Sequence, residues 1–205
     1  MGLRQTVAPA IEPLTLAEAK HAVRLDEDIT QDDLWLTGAI AAAREQAERI
    51  TARQLLTATW ELTLDGFCDP TWCYYDCRLS AWVIRVPKPR LLTVVSLTYL
   101  DGNGDTQTLT VEDHYQVDVK DEPGRVYPAY GVSWPAARLQ ANSVTLTYTA
   151  GYGNAASYVP EGIKIAMKLM LDDWYNGRTG AKGAIGDVPE CAENILRGYW
   201  HGAMP

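Results

Sequence analysis

Three cysteines fall within ten residues of this chain, in "FCDPTWCYYDC": Cys68, Cys73 and Cys77. Clustered thiolates are what a tetrahedral zinc site draws on. The C-x4-C-x3-C spacing has no second CxxC and no nearby histidine, since His114 is remote and Cys191 lies far downstream. Reduced, half-buried thiols in a loop or hairpin are the expectation, and no structural metal. The same stretch, with Trp72 and Trp82, offers aromatic rings that could stack a sugar; exposed aromatics serve a protein interface equally well.

A second candidate is "TYTAGYGNAASYVP", Thr147 to Pro160. Its Thr149–Gly153 core reads almost like a potassium-channel filter, and also like a glycine-rich phosphate loop. The first reading needs a membrane span of ~20 apolar residues. The longest apolar run, Leu34 to Ala43, ends at Arg44 and Glu45. The second needs a Gly-Lys-Ser/Thr ending or a third glycine at a helix start, and neither is present. A strand, a sharp turn and a helix opened by Pro160 remain, with Gly151 and Gly153 making the turn.

Other chemistry is sparse. His21, His114 and His201 lie far apart, without a recognisable partner pattern. "DEDITQDD" (Asp26–Asp33) lacks the glycine and terminal glutamate of a calcium loop, so an acidic helix cap is expected there. No hydrolase elbow or metalloprotease pair occurs. The expectation is no enzyme, no catalytic residue and no cofactor.

The elements that must position any site show in the periodicity. Thr15 and Glu18 make a capping-box pattern ahead of Leu16, Ala19 and Val23. Leu36, Ile40, Ala43, Ala47 and Ile50 form one apolar stripe of a longer helix, which Thr30 is placed to cap. On that helix "GAIAAA" (Gly38–Ala43) carries almost no side-chain bulk. A neighbouring helix could pack there, from the same chain or another.

From Leu56 the period changes to two. "TATWELTLD", "WVIRVPKPRLLTVVSLTYLDGNGDTQTL", "HYQVDVK", "GRVYP" and "SVTLTYTAGYG" predict roughly six strands, with "DGNG" as a hairpin turn. Helix returns after Tyr158 with Ile163, Met167, Met170 and Trp174 on one stripe. "VPECAENILRGYW" predicts a last helix. The fold class expected is therefore α+β. A helical bundle core of about four helices, residues 14–54 and 158–200, is interrupted by an inserted, mainly antiparallel β region, residues 57–152. All of it belongs to a single domain, 1–205. The Gly177–Gly186 segment is glycine-rich, and we expect it to order mainly on binding a partner.

Composition bounds the partners. The chain has 205 residues, 47% hydrophobic, with net charge −8. That supports a sizeable core and disfavours wrapping nucleic acid or docking on anionic lipid. One Phe stands against eleven Tyr and seven Trp, a balance suited to half-buried sheet faces and interfaces. The start, "MGLRQTVAPAIEP", has no apolar core, so a cytosolic product is expected.

The helical opening, "PLTLAEAKHAVRLDEDITQDDLWLTGAIAAAREQAERITARQLLTATWELTLDGF", resembles that of head–tail connector proteins of tailed bacteriophages. These adaptor or head-completion proteins pair a short "LxxAKxHLR-acidic" helix with a long "I-AAREYAE-TGR" helix. "TYTAGYGNAASYVPEGIKIAMKLMLDDWYNGR" is similar to their closing pattern, "IRVPKPRLLTVVSLTYLDGNG" resembles their middle strands, and "GRVYPAYGVSWP" matches a further segment. The resemblance runs in order through most of Leu14–Arg178. "CDPTWCYYDCRLSAW" departs from it, being longer and richer in cysteine. His21 also replaces a usually small or polar residue.

The resemblance implies a virion structural protein of the neck, made in the host cytoplasm. It implies a ring of about a dozen copies, docked under the portal protein. Such a ring extends the DNA channel without sequence-specific binding and presents a surface to a tail-completion or stopper protein. The candidate interface residues are Gly38, Ala42, Trp174, Tyr175, Arg178, Gly183 and Trp200. The isolated chain is expected to be a monomer or weak oligomer that closes into a ring on the portal. Two alternatives stay open: another neck or tail-completion protein, and a carbohydrate-binding or enzymatic β module.

Overall fold

The computed structural model describes residues 2–177 and 187–201. The chain opens on strand β1 (Gly2–Val7), then forms helices α1 (Leu16–Ala22) and α2 (Asp33–Thr51). Eight strands follow: β2 (Ala58–Leu64), β3 (Cys73–Asp76), β4 (Ala81–Arg85), β5 (Leu91–Leu100), β6 (Thr106–Leu109), β7 (Tyr115–Asp118), β8 (Arg125–Pro128) and β9 (Val144–Ala150). Helices α3 (Glu161–Gly177) and α4 (Glu190–Arg197) close it. Contacts divide the chain into a β unit, Met1–Ala8 with Thr57–Gly151, and a helical unit, Pro9–Leu56 with Tyr152–Gly202.

This architecture overturns the expected fold class. Among the described residues, nine strands in two antiparallel sheets outweigh four helices. The fold is a β-rich α+β one, and the helices are not a core bundle of the molecule. The β unit buries a cluster of its own, including Leu62, Ile84, Leu97, Val126 and Leu146. Strands β7 and β8 fall where "HYQVDVK" and "GRVYP" were expected to be strands, whereas β3, with four residues, was too short to show a period. Strand β1 went unread because it is an edge strand, exposed at five of six positions.

In the helical unit, α1 carries the capping box. The Glu18 amide donates to Thr15 Oγ1 at 3.2 Å, and the Thr15 amide donates to Glu18 Oε2 at 2.9 Å. Buried Lys20 then holds the acidic turn, its ammonium 2.7 Å from Asp33 and donating to the Glu27 carbonyl at 3.0 Å. Helix α2 starts at Asp33, with Asp32 rather than Thr30 at the cap position. Leu36, Ile40, Ala43 and Ala47 share one cluster with Ile163, Met167, Met170 and Trp174 of α3. Glu48 closes α2: its carboxylate meets Arg44 at 3.1 Å and accepts from Gln54 at 2.7 Å and the Leu55 amide at 3.1 Å. Arg44 also reaches Glu12 at 2.8 Å, so the buried charges are paired.

The β unit contains a five-stranded sheet, order β1-β2-β9-β5-β6, and a four-stranded sheet, order β3-β4-β8-β7. Antiparallel register sets Leu62 opposite Leu146 and Leu146 opposite Leu97, all buried. The alternate positions, Thr59, Thr63, Thr145, Thr147 and Thr149, line the opposite face of the five-stranded sheet. At the end of β9, Gly151 and Gly153 both take positive φ, 135° and 149°, and a Cβ on Gly153 would collide with the Tyr158 ring. That junction is a turn into α3, which Pro160 precedes.

Candidate functional site

The β8–β9 connection, residues 129–143, is long for a hairpin-scale link and carries the two most exposed large apolar side chains among the described residues. Its backbone is tied at intervals. The Ala129 amide donates to the His114 carbonyl at 3.0 Å, Arg138 to the Leu100 carbonyl at 2.8 Å, and Asn142 to Asp65 Oδ1 at 2.9 Å. That last bond holds the Asp65 carboxyl below the usual range. Trp134 is the central anchor. Its ring stacks on Phe67 at 4.6 Å, and its indole N–H donates to the Trp82 carbonyl at 2.7 Å.

Between these ties Tyr130 is 99% exposed and Leu139 100% exposed, with Val132 also open to solvent. Two hollows flank Trp134. One, of about 680 Å³, lies against Phe67, Pro70, Pro135 and Leu139. The other, of about 430 Å³, lies against Tyr75, Trp82, Tyr127 and Tyr130. Their titratable side chains are Asp65, Asp69, Cys68 and the tyrosines. Asp69 accepts from the Thr71 amide at 3.0 Å and the Asp65 amide at 3.3 Å, so its oxygens serve the turn. Exposed Tyr130 and Leu139 beside the anchored Trp134 and mainly apolar hollows suit contact with another protein surface.

The cysteines do not form a donor set. Cys68, Cys77 and Cys191 are exposed, Cys73 is buried, and all are free. No group of three or more His, Cys, Asp or Glu able to hold a metal occurs among the described residues. No described helix is long and apolar enough to cross a membrane.

Of the interface residues expected from the sequence, Gly38 and Ala42 lie on α2, Trp174 and Tyr175 on α3, and Trp200 just beyond α4. Gly38 has open space where a Cβ would sit, and Ala42 packs half-buried against the helical cluster. Trp174 is wholly buried, its indole donating to the Asp187 carbonyl at 2.6 Å. Tyr175 is half-buried, edge-on to Trp35 at 5.5 Å, with its hydroxyl donating to Asp32 at 2.6 Å. Trp200 is exposed beside a groove lined by Ile50, Glu193 and Arg197. Arg178 and Gly183, with most of the glycine-rich segment, lie outside the described residues.

The sequence reading did not single out Tyr130, Trp134 or Leu139. A signal was present: Val126–Ala137 contains no charged residue although it leaves a strand for a loop. Loops are ordinarily polar, so an uncharged aromatic loop marks a surface to be covered.

Comparison with known proteins places the fold. No protein-family model matches the chain. No curated protein matches it. Solved structures do, over 100% of this chain and 100% of theirs. A chain of "Neck of empty GTA particle computed with C6 symmetry" is 23% identical with a TM-score of 0.74. A chain of "Virion of native gene transfer agent (GTA) particle" is 22% identical with a TM-score of 0.74. A chain of "Neck of native GTA particle computed with C12 symmetry" is 22% identical with a TM-score of 0.68. At these identities the likeness is one of fold.

Proposed function

We propose that this chain is a structural protein of the neck of a tailed, phage-like particle, acting as a head–tail connector. The observation that carries the reading is end-to-end likeness, covering all of both chains, to a chain from a particle neck. In this reading the chain works as one connector domain, 1–205, whose helical parts, 14–54 and 158–200, and β part, 57–152, act together. Copies form a ring, in keeping with a neck computed with C12 symmetry. The ring docks under the portal protein, extends the DNA channel and offers a surface to a tail-completion or stopper protein. It does no catalysis and needs no cofactor.

Charge supports the channel role. Phosphate binding is driven by Lys and Arg releasing counterions, and a chain of net charge −8 provides little of that. DNA can then pass without being gripped. The exposed apolar connection around Trp134 supports assembly, as do Gly38 and Trp200 on the helical unit.

Removing the chain from assembling particles tests the reading. The expected result is DNA-filled heads that leak and carry no tails, with the protein co-purifying with portal when restored. Tailed, stable particles in its absence would refute a connector. Co-purification with tail-tube protein instead would move it to another neck or tail-completion position.

A further inference from the structure

The outer face of the five-stranded sheet has an unusual chemistry. Across all five strands the only charged residues are Arg4 and Glu61, and these pair with each other at 3.0 Å. The rest of the face is dominated by threonine, half-buried or exposed. Three register shifts then add apolar groups. In β5, Leu92 and Val95 are the extra residues between Leu91/Thr93 and Val94/Ser96, and both are exposed. In β1, the shift between Gln5 and Val7 sets exposed Val7 opposite Thr59. Bulges re-aim side chains and persist where that re-aiming is used.

We propose that this face of one copy receives the β8–β9 connection of a second copy, head to tail. Residues Tyr130, Val132 and Leu139 lie on the one side, and Leu92, Val95 and the threonines on the other. The inference rests on the neck-ring reading. Its occupant is argued from charge. Identical copies of net charge −8 repel, and they approach at least cost through surfaces that carry little net charge. The sheet face is one such surface. The connection is the other, with Arg138 its only charged residue from Ala129 to Asn142. The two surfaces differ, so repeated contact propagates head to tail rather than ending at a two-fold dimer, and gives a ring where the rotation closes, as the neck reading requires.

Area sets the strength. Five strands ~4.8 Å apart and about seven residues long at ~3.3 Å give roughly 550 Å² a side. Two sides give about 1,100 Å², just above the ~1,000 Å² that marks a specific contact. Self-association in solution is therefore weak, and the ring forms where copies are concentrated on a partner.

Sedimentation velocity over rising concentration tests this on the full chain. Val95→Asp spoils the face and Leu139→Asp the connection, both at exposed positions. Each alone weakens self-association by about tenfold or more. Mixed, the two variants form a one-to-one complex through the surviving face and connection, and grow no further. Thr147→Lys is a second face variant, and circular dichroism confirms that each is folded. Variants that associate like the parent chain, or a mixture with no complex, overturn the proposal, as does a parent chain that stays monomeric to its solubility limit. None of these results bears on the neck reading, which the particle-depletion experiment judges separately.

Discussion

Cys73 shows how burial decides what a residue can do. Its thiol is buried, and desolvation, aided by the Asp69 carboxylate, pushes its pKa up to about 12. The thiolate is the reactive form, so Cys73 is inert near neutral pH. Cys68, Cys77 and Cys191 are exposed. A disulfide reagent at mildly alkaline pH should therefore label these three in the folded chain and all four after denaturation. Mass spectrometry assigns the protected site. Labelling of Cys73 at the rate of the others would mean that the β-unit core around it opens readily. The sequence could give the cluster of thiols but not which one turns inward, because that depends on Cys73 pairing with Ile84 across β3 and β4.

At the scale of elements, the start of α1 was legible because a capping box is local. Thr15 and Glu18 need only each other, three residues apart. The hydrogen bond from the Thr15 amide is the main cause of the lowered Glu18 pKa. A depressed folded-state pKa means that the stabilisation is present above the unfolded value, ordinarily 4.5, and fades as pH falls through the lower folded value. Thr15→Ala should cost about 1 kcal/mol at neutral pH, and Glu18→Gln should lose its penalty as the parent chain is acidified below pH 4.5. Urea melts at pH 7 and at acid pH check this; a Glu18→Gln penalty that grows with acidity would refute it.

The stripes of α2 and α3 were legible for the same reason, since four turns repeat the same apolar spacing. Strand β3 was not, because a four-residue segment carries no period that could announce it. Nor was the pairing of the strands that were expected, since partners lie up to dozens of residues apart, as Ile84 and Val126 do. The Trp134 anchor is likewise non-local: its partners, Phe67 and Trp82, come from two other parts of the chain.

For the whole molecule, the decisive quantity is the charge of −8 spread over a chain proposed to meet copies of itself around DNA. Two kinds of contact respond to salt in opposite directions. A protein that holds DNA through phosphates loses affinity as salt rises, with a slope of about −0.9 per phosphate neutralised. Copies that repel through like charge, yet touch through uncharged faces, gain affinity as salt screens the repulsion. The screening length falls from about 30 Å at 0.01 M to about 10 Å at 0.1 M. The Arg4–Glu61 pair lies within one sheet, so screening it removes nothing from the contact between copies. Self-association should therefore strengthen from low to physiological salt and then level off. Over the same range duplex DNA should remain unbound. Sedimentation velocity and fluorescence anisotropy at stepped ionic strength measure both. Association that weakens steadily with salt would put unscreened ion pairs at the contact and remove the sheet face from it. Tight DNA binding with a steep negative slope would mean that the surface grips phosphates, which a wall for moving DNA must not do.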